Sequence, residues 1–299
     1  MTTMSYRDFI TSQESMKGPP THEQLSALET FFSSSQTHVS EVAKAINRPY
    51  HKAIRENPDN RVNPAESQCS RIWRTLNNAV KQLPECTDRV AELVVEMLQI
   101  SDPLCANVCS QDFKQEWTEF AWDFKQPSST DPDREVKCQA WVNMNVFCAR
   151  LSTYDLPKVD ITVHADWIMR NTLEKTPWEA YHHPDIDELE SFKGEDFPAW
   201  REYELEKRGI KSLDYWVPGA AAWFKINAQG IFELQGPMRH EHNWNATNWK
   251  GPKGWSKDRF SYWGERFEWI SKVTALEKRT RVLAKEVAEI IKRVEGDAA

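Results

Sequence analysis

The sequence predicts an all-α protein, a compact bundle-like array of about nine to twelve helices with no significant sheet. Three observations favour this fold class. Apolar residues recur with the 3.6-residue period of a helix face through most of the chain. No segment of about five or more residues alternates apolar and polar side chains as a half-buried strand does. Glycine accounts for only 10 of 299 residues, which disfavours propellers and sandwiches because they need many tight turns.

The first well-defined helix is predicted over residues 63–83. Asn63 suits the N-cap position, Pro64 suits the first helical position, and Pro84 ends the helix. Its apolar face follows i, i+4, i+7, i+11 spacing and consists of Ile72, Leu76, Ala79 and Leu83. A second helix is predicted from about Thr87 onward, and the short connection makes the two helices antiparallel neighbours.

The middle of the chain predicts further helices with regular apolar faces. One such face comprises Phe113, Trp117, Phe120 and Phe124. After a turn over 126–132, a helix of about twenty residues has a face formed by Val136, Ala140, Met144, Phe147 and Leu151. Another helix is predicted between Pro157 and Pro177. Segment 185–206 is strongly acidic, with nine Asp and Glu against two Lys and Arg.

The last third predicts three helices around one long loop. Val217–Phe224 is apolar and alanine-rich, which is typical of a buried helix. Residues 236–255 contain two Gly-Pro pairs, three tryptophans and two histidines without periodicity, which indicates a loop. Ser256 is suited to cap the next helix. The core faces of the last two helices are Phe260, Trp263, Phe267 and Ile270, and then Leu283, Val287, Ile290 and Val294.

This pattern predicts a variable N-terminal helical segment over 1–60 and a helical core domain over 61–295. A weak boundary near 126–132 is a further possibility within the core. The first 60 residues are more polar than the rest, with helical fragments near 22–32 and 38–47. We therefore expect the core domain to form one compact body.

Charge and composition disfavour several classes of partner. The net charge is −7, which is unfavourable for nucleic-acid binding because phosphate contacts dominate that affinity. Residues 250–293 nevertheless hold twelve Lys and Arg against six Asp and Glu, which predicts a solvated helix face or a patch that docks on the acidic body. The sequence shows no signal peptide, no long apolar run and no nucleotide-binding glycine loop. We therefore expect a cytoplasmic protein, with the nucleus as the alternative, without membrane association or cofactor.

Two motifs resemble those of a known family. Residues 141–151 read W-x-N-x-N-x-F-x-A-R-L, and residues 259–267 read R-F-x-x-W-x-x-R-F. In this order they resemble a family of uncharacterised proteins of filamentous fungi that share a domain of unknown function, over roughly residues 65–295. The resemblance implies an all-helical, intracellular protein without an assigned reaction. Some members lie beside gene clusters for small-molecule biosynthesis, which makes a role in secondary metabolism an expectation.

The first motif supplies the most interesting charged residue, Arg150. We expect it to be buried, and a buried guanidinium must be paired. It is predicted to form a structural ion pair, to clamp carbonyl groups or, alternatively, to anchor a carboxylate or phenolate ligand. Trp141 and Asn145 are further structural or pocket candidates. Asn143 and Asn145 point to different sides of the helix and therefore cannot share one site.

The remaining candidates are aromatic residues and histidines. His164 and Trp167 lie on one predicted helix, where a pocket could perturb the imidazole. Trp263 belongs to the second motif, and Gly264 beside it is expected to permit close helix packing. The loop candidates are His240, His242, Trp244 and Trp249. No third ligand stands in a recognisable spacing with His240 and His242, so no metal site is predicted. No catalytic residue is assigned.

Two functions remain open at this point. The first is an interaction or regulatory module with a protein partner, because no catalytic constellation is recognisable and the charges of body and C-terminal helices differ in sign. The alternative is a binder of a small apolar or aromatic ligand, or a cofactor-free isomerase or cyclase of fungal secondary metabolism. That alternative requires a closed, aromatic-lined pocket above roughly 300 Å³ that contains Arg150 or His164.

Overall fold

The structure confirms the predicted all-α class. The computed structural model describes residues 4–56, 68–99, 103–128, 130–156, 159–175, 196–200, 209–239 and 248–298. Within these ranges the regular structure is helical, and the β-type pairing consists of one isolated bridge between Gly236 and Trp255. Contacts divide the chain into two compact units, Met1–Asp160 and Ile161–Ala299.

The first unit contains helices from Tyr6 to Leu151. They are α1 (Tyr6–Glu14), α2 (His22–Ser33), α3 (Val39–Glu56), α4 (Gln68–Gln82), α5 (Thr87–Leu98), α6 (Pro103–Trp122) and α7 (Arg134–Leu151). Helix α3 packs on α2 and α5, α4 packs on α6 and α7, and α5 packs on α7. A 3-10 turn over Pro84–Cys86 joins α4 to α5. The predicted capping residues Asn63 and Pro64 lie outside the described residues.

Aromatic side chains from the predicted stripes form the core of the first unit. The rings of Trp73 and Phe113 are 5.1 Å apart, and those of Trp117 and Phe147 are 5.5 Å apart. Helix α6 ends at Trp122, so Phe124 lies just beyond it rather than on it. Its ring still packs against Trp141 at 5.9 Å. The predicted helix was therefore too long by at least two residues at this end.

The second unit is built around a long buried helix. Its elements are α8 (Thr162–Met169), a π turn (Arg170–Glu174), a 3-10 turn (Ile210–Ser212), α9 (Leu213–Glu233), α10 (Lys257–Ile270) and α11 (Lys278–Asp297). Helix α11 packs on both α9 and α10. Ser256 caps α10 as predicted, because its hydroxyl oxygen accepts a hydrogen bond from the Arg259 backbone N–H.

Gly264 permits the close approach of α10 and α11, as its sequence position suggested. A β-carbon at this position would lie 2.8 Å from Cγ2 of Ile291 on α11. Real β-carbons do not come this close to another atom, so a larger residue would require the Ile291 side chain or the helix itself to shift.

The two ends of the predicted loop over 236–255 are joined by main-chain contacts. The backbone N–H of Trp255 donates to the carbonyl oxygen of Gly236 at 2.9 Å. Gly236 and Gly254 have φ values of 91° and 89°, which suit glycine because it has no side chain to clash. A β-carbon on Gly254 would also lie 2.4 Å from the Gly236 oxygen. The loop is therefore closed at its base by two glycines.

Candidate functional site

A buried polar cluster in the second unit centres on the carboxylate of Glu174, the last residue of the π turn. The Arg259 guanidinium donates from Nε to Oε1 at 2.7 Å and from Nη2 to Oε2 at 2.8 Å. The indole Nε1–H of Trp263 also donates to Oε1, at 2.9 Å. The side chains of Arg259 and Glu174 are 1% and 0% exposed. Both carboxylate oxygens are thus held by fixed donors away from water.

The spacing of the second family motif explains this arrangement. Arg259, Trp263 and Arg266 lie at i, i+4 and i+7, which places them on one face of α10. The first two bind Glu174, and Nε of Arg266 donates to the carbonyl oxygen of Leu173 at 3.0 Å. All three polar motif side chains therefore hold the π turn against α10. A π turn exposes irregular backbone groups, which need such partners.

Arginine side chains dominate the electrostatics of the cluster. Nε of Arg170 lies 3.7 Å from Oε2 of Glu174. Burial lowers the pKa of the Arg266 guanidinium to about 10, so this group remains charged at neutral pH. Burial also raises the pKa of the neighbouring Tyr262 hydroxyl, which keeps that group neutral. The cluster therefore combines positive guanidinium groups around one buried carboxylate.

The C-terminal end of the long loop is attached to the same cluster. The backbone N–H of Asn248 donates to the Glu174 carbonyl oxygen at 3.0 Å. Nη1 of Arg259 donates to the carbonyl oxygen of Gly254 at 2.9 Å, and the Trp255 ring packs edge-on against Trp263. The cluster thus fixes the loop as well as the π turn. Such a saturated, solvent-shielded carboxylate is suited to structural clamping rather than to proton transfer, which needs access to a substrate.

The structure corrects the predicted burial of Arg150. Its side chain is 43% exposed, and it donates to Asp88 from Nε to Oδ1 at 2.8 Å and from Nη2 to Oδ2 at 3.2 Å. The buried face of α7 carries Phe147 and Leu151, and Arg150 lies at its edge, where the guanidinium reaches the first turn of α5. Of the roles predicted for Arg150, the structure shows the ion pair, which is formed with Asp88.

The other candidates of the first motif lie in the core of the first unit. Trp141 and Asn145 are both 0% exposed. The amide Nδ2 of Asn145 donates to the carbonyl oxygen of Trp141 at 2.9 Å within α7. Asn143 accepts a hydrogen bond from Gln139 at 2.8 Å. These contacts pair the Asn145 N–H and the Asn143 oxygen inside α7, whereas Nδ2 of Asn143 is buried without a hydrogen-bond partner among the described residues.

His164 and Trp167 lie among aromatic rings of the second unit. The imidazole ring of His164 is 5.5 Å from the Trp167 ring and 6.4 Å from the Trp223 ring. Trp167 packs edge-on against Trp216 at 5.3 Å. His164 is buried and Trp167 is partly exposed. The aromatic richness of this region therefore fills space between helices.

Of the four loop candidates, the structure describes only Trp249. His240, His242 and Trp244 lie outside the described residues. The Trp249 indole N–H donates to the carbonyl oxygen of Pro252 at 2.8 Å, and its ring lies 5.3 Å from Tyr262. The Arg259 guanidinium also lies 5.8 Å from the centre of the Trp249 ring, which connects Trp249 to the cluster around Glu174. Among the residues that the structure describes, no group of three or more His, Cys, Asp and Glu side chains is arranged to hold a metal ion.

A second feature lies on the first unit, where an open groove of about 660 Å³ runs between α3 and the end of α5. We call it the cationic groove. Its α3 edge carries Lys44, Arg48, Lys52 and Arg55, and two acidic residues, Glu56 and Glu96, also line it. The side chains of Lys44, Arg48 and Lys52 are 70%, 71% and 73% exposed.

These exposed cations form ion pairs within reach of solvent. Lys44 lies 3.0 Å from Glu41, Arg48 lies 3.0 Å from Glu23, and Lys52 lies 3.9 Å from Glu56. Exposed pairs of this kind contribute little to stability. They can therefore be exchanged for the carboxylates of another molecule at small cost.

Another open groove, of about 740 Å³, lies in the second unit beside Phe232 and Trp255. Lys257 extends over the Phe232 ring at 4.8 Å. Neither groove is lined by Arg150 or His164. The pocket that the small-molecule hypothesis requires is therefore formed by neither of them.

Reasoning from the sequence missed Glu174 and the cationic edge of α3. Glu174 directly follows the apolar face of a predicted helix, and an acidic residue there signals a buried partner. Lys44, Arg48, Lys52 and Arg55 recur at i, i+4, i+8 and i+11, a helical spacing that a search for charge stripes would have found.

Comparison with known proteins assigns the chain to a family. The model of the family described as "Protein of unknown function (DUF3632)" matches residues 73–267, which include both motifs. The chain belongs to this family, as the motifs indicated. No curated protein and no solved structure matches the chain. Within the described residues, no helix is both long and apolar enough to cross a membrane.

Proposed function

We propose that this protein is a helical interaction module that uses the cationic groove to dock an acidic segment of a partner protein. The observation that carries the proposal is the row of four basic side chains along one edge of an open groove. Complementary charge steers association and selects partners. The exposed side chains of Lys44, Arg48 and Lys52 are available for this role.

The mixed charge of the groove favours a protein over a nucleic acid. Glu56 and Glu96 line the same surface as the cations, and they repel a backbone that carries a negative charge at every phosphate. The net charge of −7 also repels the phosphates of a nucleic acid at longer range. A protein segment can instead place acidic and basic side chains where each is matched.

The wider setting is part of the same proposal. The family resemblance supports a fungal origin, and the buried thiols of Cys86 and Cys148 suit the reducing conditions of the cytoplasm. If the protein serves secondary metabolism, the module would act on a biosynthetic enzyme.

We also propose the division into a variable segment over 1–60 and a core over 61–295. The family match supports that division, because it begins at residue 73.

A charge-matched pair of variants tests the proposal. One variant carries Lys44→Gln, Arg48→Gln and Lys52→Gln in the groove, and the control carries Lys278→Gln, Arg279→Gln and Lys285→Gln on the exposed face of α11. Fluorescence anisotropy measures binding of a labelled glutamate-rich peptide to the full chain. We expect the groove variant to bind roughly tenfold more weakly than the wild type and the control to bind normally.

Two results would contradict the proposal. Equal losses in both variants would show that net charge alone attracts the peptide. Tighter binding of a single-stranded oligonucleotide of similar charge, with the same dependence on the groove residues, would assign the groove to nucleic acid. Circular dichroism of both variants checks that the helices remain intact, which we expect because all six side chains are exposed.

A further inference from the structure

The cationic groove restricts the shape of its occupant as well as its charge, and this inference rests on the proposed function. Lys44, Arg48 and Lys52 follow one another every four residues, which is about 6 Å along the axis of α3. Arg55 continues the row three residues later. The four cations therefore share one face of α3 over about three helical turns, a stretch that includes Pro49.

The floor of the groove is made of small, well-anchored side chains. Ala43 and Asn47 are 4% and 3% exposed and line the groove beside Ser40. The Asn47 amide contacts the carbonyl oxygen of Met97 at 3.5 Å, which links the floor to α5. Small residues allow a second backbone to approach closely, and the link to α5 keeps the floor in place before anything binds.

The opposite wall has a different character. Glu96 and Gln99 line it from the end of α5, and both are exposed. The α3 side of the groove therefore carries four cations, three of which pair with Glu41, Glu23 and Glu56, and the α5 side carries the negative charge of Glu96. An occupant with acidic side chains exchanges these exposed pairs for its own. An occupant that matches both sides must carry acidic side chains along one edge and a basic side chain along the opposite edge.

The backbone of the groove walls also limits what can bind. Both walls are helices, and most of their main-chain groups bond within the helix. An extended peptide binds best where a sheet edge supplies a row of backbone hydrogen bonds. Two helices supply no such row, although Pro49 has no N–H for the Ala45 carbonyl and the last carbonyls of α5 have no partner within that helix. A helical segment satisfies its own backbone and can lie in an apolar or small-residue floor by side-chain contact alone.

We infer that the occupant is an amphipathic α-helix of a partner protein that lies along α3. Its Asp or Glu residues at i, i+4 and i+8 face Lys44, Arg48 and Lys52, and a Lys or Arg on its other edge faces Glu96.

Three labelled peptides of about 14 residues test the inference, since this length covers the cationic row. The first is an alanine-based helix with Glu at every fourth position and one Lys on the opposite edge. The second has the same composition with the Glu residues distributed around the helix. The third carries a central proline that breaks the helix. Anisotropy measures the binding of each peptide to the full chain.

We expect the striped peptide to bind roughly tenfold more tightly than the redistributed and proline peptides. Only the striped peptide can place all of its Glu residues against the cations on α3 at once. Equal binding of all three would overturn the inference but leave the proposed function intact. No binding of any acidic peptide would overturn both. These two failures are therefore distinguishable.

A charge swap supplies the control for register. Arg48→Glu should weaken binding of the striped peptide, and a peptide with Arg in place of its central Glu should recover binding to that variant alone. Loss without recovery would contradict the proposed register.

Sedimentation of the chain without peptide tests whether a second copy of the chain is the occupant. A dimer that Arg48→Glu converts to a monomer would overturn the assignment to another protein.

Discussion

Each family motif contains an arginine that forms two hydrogen bonds to a carboxylate. The two pairs have similar geometry but very different surroundings. Arg150 contacts Asp88 at 2.8 and 3.2 Å, and Arg259 contacts Glu174 at 2.7 and 2.8 Å. The first guanidinium is 43% exposed and the second is 1% exposed. Geometry alone therefore does not distinguish a surface ion pair from an internal clamp.

Burial decides what each pair does. Water screens the charges of Arg150 and Asp88, so separating them has a small effect on stability. Glu174 is sealed inside the second unit, so the loss of Arg259 would leave a buried charge without its main donor. The exposed pairs of the cationic groove resemble the first case. Their weakness leaves them available for exchange with a partner.

The strongest test of this comparison breaks the buried pair. Arg259→Met should lower the free energy of unfolding of the second unit by about 3–5 kcal/mol, because the Glu174 carboxylate loses both guanidinium contacts. Urea denaturation followed by circular dichroism measures the change. The double variant Arg259→Met/Glu174→Met should recover only part of the loss. It removes both charges of this pair, but it also removes the carboxylate that lies beside the buried Arg170 and accepts the Trp263 N–H. A single-variant loss below about 1 kcal/mol would contradict the clamp.

A smaller effect is expected from the third donor to Glu174. Trp263→Phe removes the indole N–H and should destabilise the second unit by about 1–3 kcal/mol beyond the loss of ring volume. Trp73→Phe is the matched control, because Trp73 is equally buried and its Nε1 has no hydrogen-bond partner among the described residues. Equal losses in urea denaturation would show that the bond to Glu174 contributes nothing.

The exposed pair should respond much less. Arg150→Met should change the free energy of unfolding of the first unit by about 0.2–1 kcal/mol, and the difference from the wild type should shrink in high salt. A double-mutant cycle with Asp88→Asn isolates the interaction of the two charges. If Arg150→Met and Arg259→Met lowered the free energy of unfolding equally, burial would not be what sets the strength of the two ion pairs.

The smallest effect on stability concerns an exposed carboxylate that still titrates abnormally. Hydrogen bonds from Lys292 and Lys272 lower the pKa of Glu268 to about 2. NMR titration of the side-chain carboxyl measures this value. Lys292→Met should move the pKa towards the ordinary value of about 4.3, and Lys272→Met should move it less.

The sign of the accompanying pH dependence follows from the lowered pKa of Glu268. Its contribution to stability is present above the ordinary pKa of glutamate and is lost as the pH falls towards about 2. A Glu268 pKa that stays unchanged in Lys292→Met would contradict the assigned cause. A lowered Glu268 pKa with no loss of stability as the pH falls would show that the unfolded chain shares the lowered value, because a pKa that differs between the two states must make stability depend on pH.

Much of the fold could be read from local spacing. The faces around Leu76, Phe113, Phe260 and Val287 predicted helices that the structure contains, and Ser256 caps α10 as expected. Val136 shows the limit of this reasoning, because it lies on a predicted apolar face and is 57% exposed. Periodicity indicates which side of a helix is apolar, but it does not indicate how far the neighbouring helix extends.

The candidate sites were less predictable than the fold. The second motif marked Arg259 and Trp263, yet their acceptor Glu174 lies 85 and 89 residues away in sequence. Nothing in the local pattern joins positions so far apart. The cationic groove is similar, because α3 supplies its basic edge while Glu96 and Gln99 come from α5.

The sequence by itself determined the helical class, the capping of α10 and the family motifs, because these depend on residues within a few turns of one another. The buried faces were predicted less well, since the buried face of α11 shares only Val287 with the predicted one. Only the tertiary structure decided that Arg150 is exposed while Arg259 is buried. It also showed that Glu174, which belongs to neither motif, is the carboxylate that holds the second motif in place. Burial and pairing depend on segments brought together from distant parts of the chain, and the dielectric environment that sets the strength of a charge pair exists only after that packing has formed.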